Sequence, residues 1–316
     1  MDTCFSVDVR YYHLSPELQP YFTALYMFDI ECPADQLIND CLHPEWAALR
    51  FARGGAVMGG VGGEPLLERS PFVASGPTSK ATLFCLPSAC IFGLGLKPAG
   101  WAKFVTGPAS DFTNRSVDGA EEPAFALFVP ILRMVQDLGL GPDETAEAIN
   151  LYLLQQLNRG TVRVELIHRV HDALRDPEIG NVVELGQRVS LGLRSLERIC
   201  LRYFGFPPKL LLRRQRFLRS LARYMLDPER NWSEALDPQY YDQAQFVRDF
   251  RSFMGVTPTE YSEQSHPILN TVMAQRMADI GATPATDLPT VLRYGGQVVP
   301  EENEEPRQRG RRRLRG

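Results

Sequence analysis

Tyr240 to Tyr261 reads YYDQAQFVRDFRSFMGVTPTEY. Phe246, Phe250 and Phe253 recur at i, i+4 and i+7, which places them on one side of an α-helix and predicts that this side is buried. Gln243, Ala244, Arg248 and Arg251 fall on the other sides, and Gly255-Val256-Thr257-Pro258 marks the exit of the segment. Taken alone, the pattern suits a helix that fills a core as well as one whose polar side touches a partner. The segments upstream decide between the two.

Upstream stands LRSLERICLRYFG, Leu193 to Gly205. Leu196, Ile199, Cys200 and Tyr203 can form a buried stripe, while Arg194, Glu197, Arg198 and Arg202 gather outside at i, i+3, i+4 and i+8. Ser190-Leu191-Gly192 separates this helix from Val182–Val189, giving the helix, short turn with glycine, helix order of a helix-turn-helix. Pro207-Pro208 opens a long helix, Lys209–Leu226, that Asp227-Pro228 ends. Trp232–Leu236, a turn at Asp237-Pro238-Gln239, and the opening segment then repeat the pattern.

The charge distribution agrees. The 316-residue chain carries a net charge of −4, which by itself argues against a polyanion partner. Residues 188–223, however, hold ten Lys and Arg against the single acid Glu197, a local net of +9. Residues 1–159 hold ten basic against 18 acidic side chains. A basic segment inside an acidic chain is the electrostatic footprint of a nucleic-acid binder. Arginine can bridge guanine O6 and N7 in a major groove, and glutamate can accept from cytosine N4.

The segment from about Val162 to Tyr261 resembles the DNA-binding domain of AraC/XylS-type bacterial transcription regulators. The residues that carry the resemblance are Leu193-Arg194-Ser195-Leu196-Glu197-Arg198, Phe204-Gly205-Phe206-Pro207-Pro208 and Arg216-Phe217, followed by Tyr240 to Phe246, Phe250-Arg251 and Gly255-Val256-Thr257-Pro258 through Tyr261. The resemblance implies two helix-turn-helix units on a rigid connecting helix. It places Arg194, Ser195, Glu197, Arg198 and Arg202 toward one major groove, and Gln243, Ala244, Arg248 and Arg251 toward the next, with Arg213 on the connecting helix also at the DNA. The sequence departs from the family pattern where Ser190 and Gly192 stand in reverse order, and where Gln239 stands in place of a glycine.

Ahead of this domain the chain reads as short strands: Thr23–Ile30, Ala47–Phe51, Phe72–Ala74, Ala81–Leu86 and Cys90–Leu96, divided by Gly- and Pro-rich joints. The Gly-rich run Gly54–Gly63 is followed by Glu64-Pro65 rather than Gly-Lys-Ser/Thr, so it reads as a flexible hairpin turn and not a phosphate loop. The expected architecture is α+β and multidomain: a β-rich, barrel-like sensor or dimerisation domain (1–120), a helical pair (121–160), the all-α domain with two helix-turn-helix units (161–266), and a helix with a disordered charged tail (267–316). In the helical pair, Pro123 starts a helix to Leu138, and Asp143 N-caps a second one ending near Leu157. Lys97–Gly119 is similar to a segment of the sensor domains found in this family.

No catalytic constellation stands out. His168 and His171 lie at i, i+3 without a partner set, and Cys32, Cys41 and His43 match no familiar zinc spacing. Gly-x-Ser-x-Gly, Walker and paired-carboxylate motifs are absent. The chain also lacks an 18-residue apolar run and a leader-like N-terminus, so a cytoplasmic protein with reduced cysteines is expected. The expected function is a sequence-specific DNA-binding regulator that is not an enzyme and needs no cofactor or metal. Its partners would be double-stranded DNA, a second copy of the chain, a small-molecule effector and RNA polymerase, with no membrane. The alternative is a constitutive DNA binder whose first domain only docks other proteins.

Overall fold

Strand β2 (Phe22–Glu31) is apolar at almost every position, which a strand with one wet face would not be. The structure, a computed structural model describing residues 5–54, 57–158, 164–226 and 231–278, shows why. Leu25 and Met27 point into one core with Trp101, Phe104, Phe128 and Ile149. The alternate residues Ala24, Tyr26, Phe28 and Ile30 point into another. The strand is therefore covered on both faces, and period-2 alternation sorts its side chains between two layers.

One sheet has the order β1 (Ser6–Tyr12), β2, β9 (Ala89–Leu96), β4 (Ala47–Arg53), β7 (Phe72–Ser75), β10 (Ser116–Asp118). The second has the order β3 (Ile38–Leu42), β8 (Thr82–Leu86), β5 (Val57–Val61), β6 (Leu67–Arg69). Every pairing is antiparallel. The expected barrel is thus corrected: among the described residues the strands form two sheets with an apolar layer between them, and neither sheet closes on itself. Helices α1 (Pro98–Phe104), α2 (Val129–Gln136) and α3 (Pro142–Gln156) cover the outer face of the larger sheet.

Three local expectations also change. The Gly-rich run supplies strand β5, and the turn falls at its end, where Gly62 has φ +68°. At Gly60 an added Cβ would lie 2.8 Å from the carbonyl oxygens of Glu64 and Pro65, so no larger residue fits. Pro123–Phe128 is a 3-10 turn that passes into α2, not one continuous helix. The N-cap of α3 is Gly141, with Pro142 at the first helical position and Asp143 in the first turn.

The rest is helical: α4 (Glu165–Arg175), α5 (Val182–Val189), α6 (Leu193–Ile199), α7 (Pro208–Leu226), α8 (Trp232–Ala235), α9 (Gln243–Met254), α10 (Pro258–Glu263) and α11 (Pro267–Ala278). The predicted disordered tail lies outside the described residues. Two cores sit here, one on each side of α7, and both recruit residues of the sheet domain. Trp46 and Ala99 enter the first, with Val170, Leu185, Leu196 and Phe204. Cys41 and Ala81 enter the second, with Phe217, Phe246, Phe250 and Tyr261.

Polar contacts reinforce this junction. Arg214 of α7 is buried, its guanidinium carbon lies 3.9 Å from the centre of the Trp46 ring, and its Nη1 donates to the carbonyls of Glu45 (3.1 Å) and Thr78 (2.8 Å). The Ala81 amide donates to Phe253 (2.7 Å) and the Lys80 ammonium to Ser252 (2.6 Å), both carbonyls at the end of α9. Helix α11 folds back onto β1 and β3. Its first amides, Ile268 and Leu269, donate to the fully buried Asp40 carboxylate at 2.8 and 2.9 Å, and His266 Nδ1 lies 3.1 Å from the same group.

Candidate nucleic-acid interface

The first unit is built on a tight turn. Asn181 caps α5 by accepting from the Val183 and Glu184 amides. Ser190 ends α5 in the left-handed region (φ 56°), a conformation that costs an L-residue about 1–2 kcal/mol. Gly192 then caps α6 with an extended backbone. The inverted Ser190 and Gly192 therefore still make the turn, with a strained serine in place of a relaxed glycine. Leu196, Cys200 and Phe204 anchor α6 from below, and each is fully buried. After Ile199 the helix widens into a π turn, Cys200–Phe204, that Gly205 ends at φ +82°.

With that stripe inward, Arg194, Glu197, Arg198 and Arg202 are exposed and Ser195 is half-buried. Four of the five predicted side chains thus share the open face of α6 and the π turn that continues it. The face is bordered by the sheet domain: Pro108 and Ser110 lie across an open cleft of about 420 Å3 from Arg194, Glu197, Arg198 and Arg202. The nearby Cys200 thiol is raised to about 12 by burial, then by Glu197, and is inert.

The second unit places Gln243, Ala244, Arg248 and Arg251 of α9 in solvent, with Phe246, Phe250 and Phe253 beneath. Asp242 caps α9 by accepting from the Gln245 amide, and Tyr241 just before it is almost fully exposed. The first helix of this unit, α8, is a single turn.

Arg213 is the exception among the expected DNA contacts. Its Nη2 and Nε donate to Asp249 at 2.6 and 3.2 Å, so part of its guanidinium serves as a tie between α7 and α9. Asp249 also accepts from Arg216 (3.0 Å) and from the Tyr240 hydroxyl (3.2 Å), whose pKa burial and then Asp249 push upward. Sequence reasoning missed this carboxylate. The available signal was its place three residues after Phe246, on the apolar face.

Gln239, the departure from the family glycine, also has a structural role. Its side-chain amide donates to the Pro177 carbonyl in the loop between α4 and α5, and its oxygen accepts from Arg219 at 3.4 Å. Arg219 in turn pairs with the buried Asp237 at 2.6 Å. Gln239 is a strut between the two units. The weighed cysteine and histidine set does not assemble: Cys32 bonds Ser88, His43 bonds Tyr261 at 2.8 Å, and Cys41 lies by Asp40 and His266. Among the described residues no helix is long and apolar enough to cross a membrane.

Residues 185–264 match a family model described as a helix-turn-helix domain, of the AraC type. Over this stretch the helical domain is similar to AraC-type helix-turn-helix domains. Domains of this kind occur in DNA-binding transcription regulators. Among solved structures, ToxT from Vibrio cholerae is similar at 8% identity, over 81% of this chain and 97% of that chain, with a TM-score of 0.42. Unsaturated fatty acid bound ToxT from the same organism is similar at 10% identity, over 81% and 94%, with a TM-score of 0.38. The AraC-like transcriptional activator CuxR is similar at 14% identity, over 69% and 87%, with a TM-score of 0.26. Superpositions this loose carry no inference about ligand or partner. No curated protein matches the chain.

Proposed function

We propose that the chain is a sequence-specific transcription regulator that reads two successive major grooves, with α6 in one and α9 in the next, and whose sheet domain senses a small molecule. The observation that carries the reading is the pair of open helix faces, Arg194, Glu197 and Arg198 on α6 with Arg202 on the π turn after it, and Gln243, Ala244, Arg248 and Arg251 on α9, held on one connecting helix. Arginines at such positions can pair bidentately with guanine, and phosphate contacts add affinity. A strut between the units suits a fixed half-site spacing of about 34 Å.

The sensing half of the proposal rests on a cavity of about 130 Å3 between the larger sheet and helices α7 and α11, beside Tyr26, Phe28, Trp46 and Arg50. An adjoining lobe of about 70 Å3 shares Phe28, Leu42, Arg50 and Ile268. Burial opposes the charge on Arg50, but Glu45 at 2.7 Å and Tyr26 more than restore it, so the Arg50–Glu45 pair stands with His43 and Arg214 among largely apolar walls. Helices α7 and α11 close the cavity through Arg214, Leu218, Ile268 and Val272. An occupant thus touches the connecting helix of the DNA-binding domain directly, which favours a sensor over a docking module. The proposed units are 1–120, 121–160 and 161–266, with a second copy and RNA polymerase as further partners.

Selection of bound duplexes from a random pool tests the reading. Wild type should enrich a bipartite sequence, and Arg198→Ala should weaken that binding by about 1–3 kcal/mol without changing far-ultraviolet circular dichroism. Equal binding of the wild type to enriched and scrambled duplexes would refute base reading.

A further inference from the structure

Between the two units lies a second cleft, of about 250 Å3, whose floor is the N-terminal half of α7. One wall is the start of α5 at Asn181 and the other is Gln245 of α9. Three cationic residues line it, Lys209, Arg213 and Arg216, and none of its lining residues is acidic. Lys209 is exposed and meets no carboxylate among the described residues. Arg213 commits Nε and Nη2 to Asp249, which leaves Nη1 without an acceptor among the described residues. Arg216 is mostly buried, and its Nε lies in the interior with no hydrogen-bond acceptor among the described residues. Buried donors without partners are rare in a finished fold and point to an absent ion or ligand.

We propose that this cleft seats one phosphate of the DNA backbone, where a strand crosses between the two grooves that α6 and α9 enter. The inference rests on the DNA-reading proposal above. Two helices in successive major grooves straddle the intervening minor groove, and its flanking phosphates then face whatever joins the two units. Here that is α7, which offers an unpaired ammonium and the free edge of Arg213. The Gln245 side chain accepts from the Tyr241 amide at 3.0 Å, and its amide end is left for an anion. The seat carries no base information. It fixes where the duplex lies relative to both units, and so couples their registers.

The test uses the full chain and a duplex enriched from a random pool. Each phosphate contact contributes about 0.9 to the slope of log affinity against log salt. Lys209→Gln should therefore lower that slope by about 0.9 and the affinity by about eightfold at 0.1 M salt, equally for enriched and scrambled duplexes. Gln245→Glu keeps the acceptor for Tyr241 but places a carboxylate in the cleft, and should lower affinity further. A duplex with one neutral methylphosphonate between the half-sites should cost wild type a similar factor, and Lys209→Gln should lose nothing more on it. An unchanged salt slope for Lys209→Gln, or losses that multiply on that duplex, would overturn the proposal. So would displacement of the duplex by inorganic phosphate beyond the effect of sodium chloride at equal ionic strength, which would reassign the cleft to a free anion. Failure of wild type to enrich any duplex would remove the DNA reading and the seat together. Enrichment with an unchanged slope would remove the seat alone.

Discussion

Replacing Arg214 with methionine removes the side chain that ties the connecting helix to the sheet domain. The guanidinium makes two hydrogen bonds to backbone carbonyls, at 3.1 and 2.8 Å, and stacks on Trp46 at 3.9 Å. Hydrogen bonds from a charged donor contribute about 1.5–3 kcal/mol each, and a desolvated cation–π contact about 2 kcal/mol. Methionine restores apolar packing and removes the cost of burying a charge, but it leaves the Glu45 and Thr78 carbonyls without this donor. The net expected loss is about 3 kcal/mol. For a chain of 316 residues, an unfolding entropy of about 2.1 cal/mol/K per residue turns this into a fall in Tm of about 4–5 °C. Circular dichroism and tryptophan fluorescence should both report it, and the single transition should broaden or split as the domains uncouple. Arg214→Lys should recover little, since an ammonium cannot hold two carbonyls and lie flat on the ring. A Tm within 1 °C of wild type for Arg214→Met, with one sharp transition, would refute the pinning role.

Gln239→Gly should remove the strut to Pro177 and let the units adjust, so that duplexes with half-sites moved by one base pair bind nearly as well as the enriched spacing; retained discrimination in a competition assay would show that the strut does not set spacing. His168 has its pKa lowered by burial and then by His171. The unfolded chain therefore binds the proton more readily, and stability should fall as the pH drops below about 6.5, with His168→Gln flattening that slope in urea titrations. Cys200, fully buried and raised to about 12, should resist iodoacetamide at pH 8 until the chain is unfolded, as mass spectrometry of labelled peptides would show.

Helices with strong 3.6-residue periodicity were legible in the sequence. Val182–Val189 coincides with its prediction, and α7 begins one residue earlier than expected. The five expected strands are all present within two residues, because each is bounded by Gly, Pro or charge. Strands β1, β3, β5, β6 and β10 were not foreseen: β3, β5, β6 and β10 are short or glycine-bearing, β1 is interrupted by Asp8 and Arg10, and all gain order from strand neighbours. The two-sheet layering escaped for a related reason, since β2 carries no polar face to betray it. At the interface, exposure of the α6 and α9 arginines followed directly from helical phase. The fate of Arg213 did not, because it depends on Asp249, 36 residues away on another helix.

The carboxylate of Asp40 has consequences for how the molecule is made. It lies inside the sheet domain with no exposure, and two of its donors, Ile268 and Leu269, arrive 228 and 229 residues later. At about 5–20 residues per second, translation leaves that group waiting about 10–50 s after its own strand has been synthesised. During this time the sheet domain holds a charge that water or a chaperone must satisfy, and the mouth that α11 covers stays open. The sheet domain, made before the helical domain, is therefore finished only after it, and its closure reports that the helices behind it are complete.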